Sequence, residues 1–365
     1  MVREVAAERI APAADRYERE HTFPRELFDL LAGLDLTGLP FAGEVGGSGV
    51  SQRTYLMVVE EVTRAFAALG MGLSVHTLAT WGIDTYATPA QRERFVPDLV
   101  AGSMLGAYSL SETGSGSDAA ALTTRAVRDG DGYRLTGTKA WVTHGGVADR
   151  YLVMARTSDD GARGISAFVI DADQPGMTVA PPESKIAMWA SPTAQIVFDD
   201  APVDADRLLG GEEGRGFGTA MASLEGGRLG IAACAVGLAQ AALDEAVRYA
   251  RQREQFGRPI ADFQGVGFLL ADMAARTEAA RALYRSAAEQ RDQGLDIGRV
   301  AAMAKVVATD AAMQTTTDAV QVFGGVGLTT DVPVERYLRE AKILQIVEGT
   351  NQIQRLVISR SLTAS

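Results

Sequence analysis

Apolar residues recur three and four positions apart through most of the first hundred residues. The spacing is most regular over Arg25 to Leu34, Ser51 to Phe66 and Gln91 to Ala101, and it predicts helices. Ser51 and Pro89 stand where helices start, and Gly46-Gly47-Ser48-Gly49 breaks the chain between two of them. Few polar residues of this region look arranged for chemistry. At about Met104 the period shortens. Met104 to Ser111, Leu122 to Val127, Tyr133 to Thr143, Tyr151 to Ala155, Ile165 to Ile170 and Ala194 to Phe198 are short β-branched or aromatic runs separated by Gly, Asp and Pro, as strands are. Asp129-Gly130-Asp131-Gly132 joins two of them as a hairpin turn, because glycine accepts the positive φ angles such turns need. After Gly218 helical spacing returns over Met221 to Arg251, Phe263 to Gln293 and Gly298 to Phe323, and two shorter helices follow, ending in Leu362. Helices of about 25 to 30 residues are about 40 Å long, the dimension of a four-helix bundle.

The pattern therefore predicts an α+β protein in three parts: an N-terminal α-helical domain over 1–103, a middle small β-barrel or β-sandwich domain over 104–208, and a C-terminal α-helical bundle domain over 209–365. Strands and helices do not alternate, which disfavours a doubly wound dinucleotide-binding sheet. Gly210-Gly211-Glu212-Glu213-Gly214-Arg215-Gly216 carries two acids and no preceding strand, and reads as a linker and not a phosphate cradle.

Composition narrows the function. With 365 residues, 47% hydrophobic and 22% charged, the chain is of ordinary globular character. No uncharged apolar run reaches the roughly 18 residues of a membrane span, and the N-terminus lacks an apolar signal core, so a cytoplasmic location is expected. The lone Cys234, in an Ala-rich setting, reads as a small core residue. His21, His76 and His144 lack ligand spacing, so no metal site is expected. A net charge of -11 argues against nucleic acid as a partner.

Four stretches carry chemistry. Tyr108 to Asp118 leaves a strand for a loop of hydroxyls and glycines, which suits either a flat heteroaromatic or pyrophosphate ligand or a flexible connector. Trp141 and Thr143 share a strand face within a hairpin of that loop, so Trp141 either stacks on a planar ligand or packs in the core. Arg251 to Pro259 closes a long helix with three arginines, which fits the helix dipole and also a pyrophosphate. Glu348, set among apolar residues before Gly349-Thr350, is either an acidic helix start or a carboxylate whose pKa is raised toward that of a base.

Taken in order, these stretches resemble the acyl-CoA dehydrogenase family of flavoproteins over essentially the whole chain. Phe23-Pro24, Leu39-Pro40, Leu224-Glu225-Gly226-Gly227-Arg228, Arg253 to Gly257, Gln321-Val322-Phe323-Gly324-Gly325 and Glu348-Gly349-Thr350 belong to the same set. The resemblance implies an FAD-dependent enzyme. In it Glu348 removes the α-proton of an acyl-CoA thioester, flavin N5 takes the β-hydride, and a trans-2-enoyl thioester forms. It implies flavin contacts at Tyr108, Leu110, Ser111, Trp141, Thr143, Thr350 and Gln352. Arg253, Gln255, Phe256, Gln264, Gln321 and Gly325 match positions that reach the FAD of a neighbouring subunit, which implies a homotetramer built as a dimer of dimers. Ser117, Glu225, Arg228 and Gly349 match acyl-CoA contacts, and an electron-transfer flavoprotein is the implied electron acceptor. Some relatives carry the base where this chain has Gly227, so Glu348 is selected.

Departures stand at His144, where Asn is common, at Thr113, where Pro is common, at Val347, small where several relatives are aromatic, and at Trp189, where a basic residue is usual. Trp189 leaves open a thioester carried on a carrier protein instead of CoA. A scaffold or DNA-binding member of the fold is the reading from another class, and the acidic charge together with Glu348 counts against it.

Overall fold

The structure, a computed structural model, describes residues 1–363. Helices α1 (Val2–Val5), α2 (Ala11–Glu20), α3 (Arg25–Ala32), α4 (Gln52–Ala65), α5 (Ala67–Tyr86), α6 (Pro89–Phe95) and α7 (Pro97–Val100) form the first layer. The start signals act as expected. Ser51 Oγ accepts the Thr54 N–H, and Thr88 caps α6 reciprocally with Gln91 while Pro89 fills the first turn. Sequence spacing did not resolve α5. It is buried almost throughout and shows no polar face for a helical period to mark.

A curled mixed sheet follows, made of β1 (Gly106–Ser109), β2 (Arg125–Asp129), β3 (Gly132–Thr143), β4 (Arg150–Arg156), β5 (Ile165–Asp171), β6 (Met177–Val179) and β7 (Thr193–Val203). Its order is β1-β4-β2-β3-β7-β6, with β5 on the other edge of β4. The β2–β3 hairpin pairs Asp129 with Gly132, with Gly130 at φ 59° in the turn. The second strand begins at Arg125, three residues later than the pattern suggested, because Leu122 precedes the ladder and fills the core beneath it.

The last layer is α8 (Gly216–Gln252), the short hairpin of β8 (Glu254–Gln255) and β9 (Arg258–Pro259), then α9 (Gln264–Asp292), α10 (Gly298–Phe323), α11 (Val334–Leu344) and α12 (Asn351–Thr363). Helix α8 is the axis of the molecule: α4, α5, α9 and α10 all pack on it, as do β4 and β5. Its small residues let these neighbours come close, and Cys234 lies fully buried among its alanines. One window of α8 is long and apolar enough to cross a membrane, but 72% of it is inside the molecule, as a bundle's core helix should be. The sheet rests on α5 and α8, so the end of β1, the end of β3 and the loop before α12 converge on one side of α8.

Candidate active site

At this convergence lies a cleft of about 370 Å³. Glu348 projects into it from a chain segment that cannot be a helix start. Its φ of 57° and the 88° of Gly349 put two consecutive residues in the left-handed region, and α12 begins only at Asn351. Side chains hold this turn. Gln354 Nε2 donates to the carbonyls of Glu348 (3.2 Å) and Gly349 (2.9 Å), and Lys305 Nζ donates to Gly349 O (3.1 Å) and Asn351 Oδ1 (2.8 Å). A Cβ at Gly349 would stand 2.6 Å from Gln354 Nε2, so both the backbone angle and the contact require glycine.

The carboxylate lies over the α8 backbone at Gly227. A Cβ there would overlap Glu348 Oε2 and lie 2.8 Å from its Cδ. Oε2 is buried and has no hydrogen-bond partner among the described residues. Burial pushes the Glu348 pKa up to about 7, against the pull of the Arg228 guanidinium and the Lys305 ammonium. Burial draws Lys305 itself down to about 7, and it lowers Arg228, whose Nε also lacks a partner. Tyr108 Oη donates to Ala220 O (3.1 Å), and burial followed by the Glu348 charge raises the phenol, which stays protonated.

The opposite wall comes from the sheet. A bulge between Lys139 and Val142 in the β3–β7 ladder puts Trp141 at φ 60° and leaves its side chain 58% exposed at the cleft. Trp141 is therefore not the core residue that the sequence left as one option. Thr143 and Ser111 line the same cleft, and neither hydroxyl is hydrogen-bonded among the described residues. A buried pair pins the Tyr108–Asp118 loop to β3. Lys139 Nζ donates to Leu110 O (3.0 Å) and Glu112 Oε1 (2.9 Å), and Glu112 accepts the N–H groups of Thr123 (2.7 Å) and Thr124 (2.9 Å). Burial opposes its charge, yet the Lys139 ammonium and these donors hold Glu112 down at about 2. The loop is thus an anchored wall, not a free connector.

Of the sequence-derived positions, Tyr108, Leu110, Ser111, Ser117, Trp141, Thr143, Arg228, Glu348, Gly349 and Thr350 line this cleft together. Gln352 is exposed on α12, and Glu225 lies beside Gly298 at the edge of α8. Arg253, Gln255, Phe256, Gln264, Gln321 and Gly325 are all exposed, away from the cleft, at the end of the bundle marked by the β8–β9 hairpin. Sequence reasoning missed Met71 and Val75 of α5, which line the cleft. It also missed Lys305, whose only signal was a lysine on an Ala- and Val-rich helix face. Trp189 lies elsewhere. Its ring stacks on His21 (4.5 Å) under Arg339 (5.0 Å), and it does not line the cleft. The small Val347 does line it, and His144 is buried with Nδ1 on Gly106 O (3.0 Å).

These residues fit a planar redox group. An exposed indole face, two uncommitted hydroxyls and an unpartnered carboxylate oxygen face one cleft, and Gly114 and Gly116 leave open space at its edge.

Models of the acyl-CoA dehydrogenase N-terminal, middle and C-terminal domains match residues 1–103, 107–201 and 214–363. An acyl-CoA dehydrogenase of Bacillus subtilis (strain 168) is 47% identical over 364 residues, covering 99% of this chain and 96% of that one. Among solved structures, the butyryl-CoA dehydrogenase of Megasphaera elsdenii superposes with a TM-score of 0.97 at 41% identity, covering 99% of this chain and 96% of that one. A chain from work on the electron transferring flavoprotein of Acidaminococcus fermentans gives 0.98 at 42% identity, covering 100% and 96%.

Proposed function

The chain belongs to the acyl-CoA dehydrogenase family of oxidoreductases, and on that premise we propose that it oxidises an acyl-CoA thioester to the trans-2-enoyl thioester with Glu348 as the base. The observation that carries this reading is the Glu348 carboxylate itself, buried, without a partner and held near neutral pKa over Gly227. A base with a pKa near the working pH accepts a proton from carbon and is also ionised often enough to begin. Arg228 and Lys305 keep part of it ionised despite burial. The Glu348 N–H has no acceptor among the described residues, so it can polarise the thioester carbonyl and acidify the α-carbon.

Tyr108, Leu110, Ser111, Trp141 and Thr143 would hold the isoalloxazine of FAD, and Thr350 and Gln352 would make further FAD contacts. FAD, when bound, supplies the acceptor for the β-hydride. Ser117, Glu225, Arg228 and Gly349 would contact the acyl-CoA. Positioning both C–H bonds in one rigid cleft provides much of the rate. Arg253, Gln255, Phe256, Gln264, Gln321 and Gly325 would complete the FAD site of a second subunit in a homotetramer, and electrons would leave to an electron-transfer flavoprotein. The neighbouring structures described as butyryl-CoA dehydrogenase and electron transferring flavoprotein support the substrate and partner classes.

The purified protein is expected to be yellow, and a short or medium acyl-CoA should bleach its flavin band anaerobically. A panel of straight and branched acyl-CoAs that all leave the band unchanged would exclude CoA thioesters as substrates.

A further inference from the structure

The loop that carries Glu348 runs from Gln345, just after α11, to Asn351, the first residue of α12, with the carboxylate midway between them. Its two ends close on each other, because the Asn351 N–H donates to Gln345 O (3.0 Å). One side chain of α10 stands beneath that closure. Asp310 Oδ1 accepts both Gln345 Nε2 (2.7 Å) and Asn351 Nδ2 (2.7 Å), so a single oxygen holds the two ends of the loop. Asp310 Oδ2 accepts Arg355 Nη2 of α12 (2.7 Å).

Both amides are fixed in orientation. Lys342 Nζ donates to Gln345 Oε1 (3.0 Å) and Lys305 Nζ to Asn351 Oδ1 (2.8 Å), so each amide oxygen is engaged by an ammonium and each amide nitrogen is left to face Asp310. Asn351, buried, also donates to Thr309 Oγ1 (2.9 Å). The Asp310 side chain itself is 41% exposed and does not line the cleft.

The loop needs such a hold. Glu348 lies at φ 57°, a strained angle for a residue with a side chain, and strain of this kind persists only where the surroundings over-determine it. Apolar packing does not fix the side toward α11, where Ile346 is 54% exposed. Gln354 and Lys305 secure the carbonyls at the turn and Asp310 secures the ends, so a shift at either end is carried to the carboxylate over Gly227.

We propose that Asp310 is a positioning residue for the dehydrogenation: by receiving both ends of the loop on one oxygen, it sets from outside the cleft where the Glu348 carboxylate stands. The inference rests on Glu348 being the base. The position requires an acceptor and not a charge, so an amide there keeps the function and an alkyl group loses it.

The test is anaerobic reduction of the FAD-loaded enzyme over a range of butyryl-CoA concentrations, which separates the limiting rate of flavin reduction from the thioester dissociation constant. Asp310→Leu should lower the limiting rate roughly 10–100-fold, the effect of letting a reacting group drift by about 1 Å. The dissociation constant and the flavin bound per chain should stay within about twofold. Asp310→Asn, which retains Oδ1, should bring the rate back to within about threefold of wild type, and Arg355→Met, which removes only an exposed ion pair, should leave it there as well. If Asp310→Leu does not fold, Gln345→Leu carries the test, since it frees one end of the loop and should lower the limiting rate in the same sense. A limiting rate that these leucine variants leave unchanged overturns the proposal. So does an Asp310→Asn as slow as Asp310→Leu, or a loss confined to FAD content or to the dissociation constant. Glu348→Gln, measured alongside, separates the two levels. Slow reduction by Glu348→Gln with a full rate in Asp310→Leu removes the role of Asp310 alone, whereas a full rate in Glu348→Gln removes the base and the role of Asp310 with it.

Discussion

Glu348 is a residue whose surroundings work against its charge, and the cost appears in stability. Its pKa is about 7 in the folded chain against an ordinary 4.5, so between those values the native state holds a proton that the unfolded chain releases. The stability this group contributes is present below pH 4.5 and is lost as pH rises through about 7. Glu348→Gln removes that loss, and thermal or urea unfolding should show the variant more stable at pH 8 by about 3 kcal/mol at most. The difference should vanish near pH 4. The same pKa sets the direction of catalysis: flavin reduction should rise from pH 6 to 8 as Glu348 ionises, with an apparent pKa near 7. Lys305→Met removes a cation that favours the ionised base, so it should move that limb to higher pH. Loss of the bonds to Gly349 and Asn351 should also cost about 1–3 kcal/mol of stability.

At the scale of elements, α8 decides where chemistry happens, because Gly227 lets the carboxylate approach its backbone. Gly227→Ala places a methyl group against Glu348 and should lower the rate of flavin reduction about 100-fold, the cost of displacing a reacting group by about 1 Å. FAD content should change little. Three long bundle helices and most strands were legible in the sequence, since amphipathic spacing and glycine turns are local properties. Helix α5 was not, because burial on all sides erases the period, and with it went the contribution of Met71 and Val75. The bulge that turns Trp141 outward was hidden for another reason. It depends on the pairing of β3 with β7, more than fifty residues away, and no local pattern records it. The resemblance supplied the set around Glu348, and the fold brings ten of those positions to one cleft. Lys305 escaped notice because a basic residue on a helix reads as a solvent-facing one.

The molecule as a whole leaves one end uncovered. Phe256 is 94% exposed at φ 53° on the β8–β9 hairpin, and Leu328 is 78% exposed in the turn after α10. Apolar residues so displayed suit a partner surface. Light scattering should give a mass of four chains, and Phe256→Ser should weaken FAD retention without altering the cleft around Glu348. The central claim is that a buried carboxylate takes the α-proton of a bound thioester. Its most direct test is anaerobic single-turnover reduction of the flavin by butyryl-CoA in the wild type and in Glu348→Gln, both loaded with FAD. The wild type should bleach. The variant should bind FAD and thioester yet reduce the flavin at least about 10²–10⁴-fold more slowly, the contribution of a positioned base. Bleaching by the variant at the wild-type rate would contradict the account and place the base elsewhere.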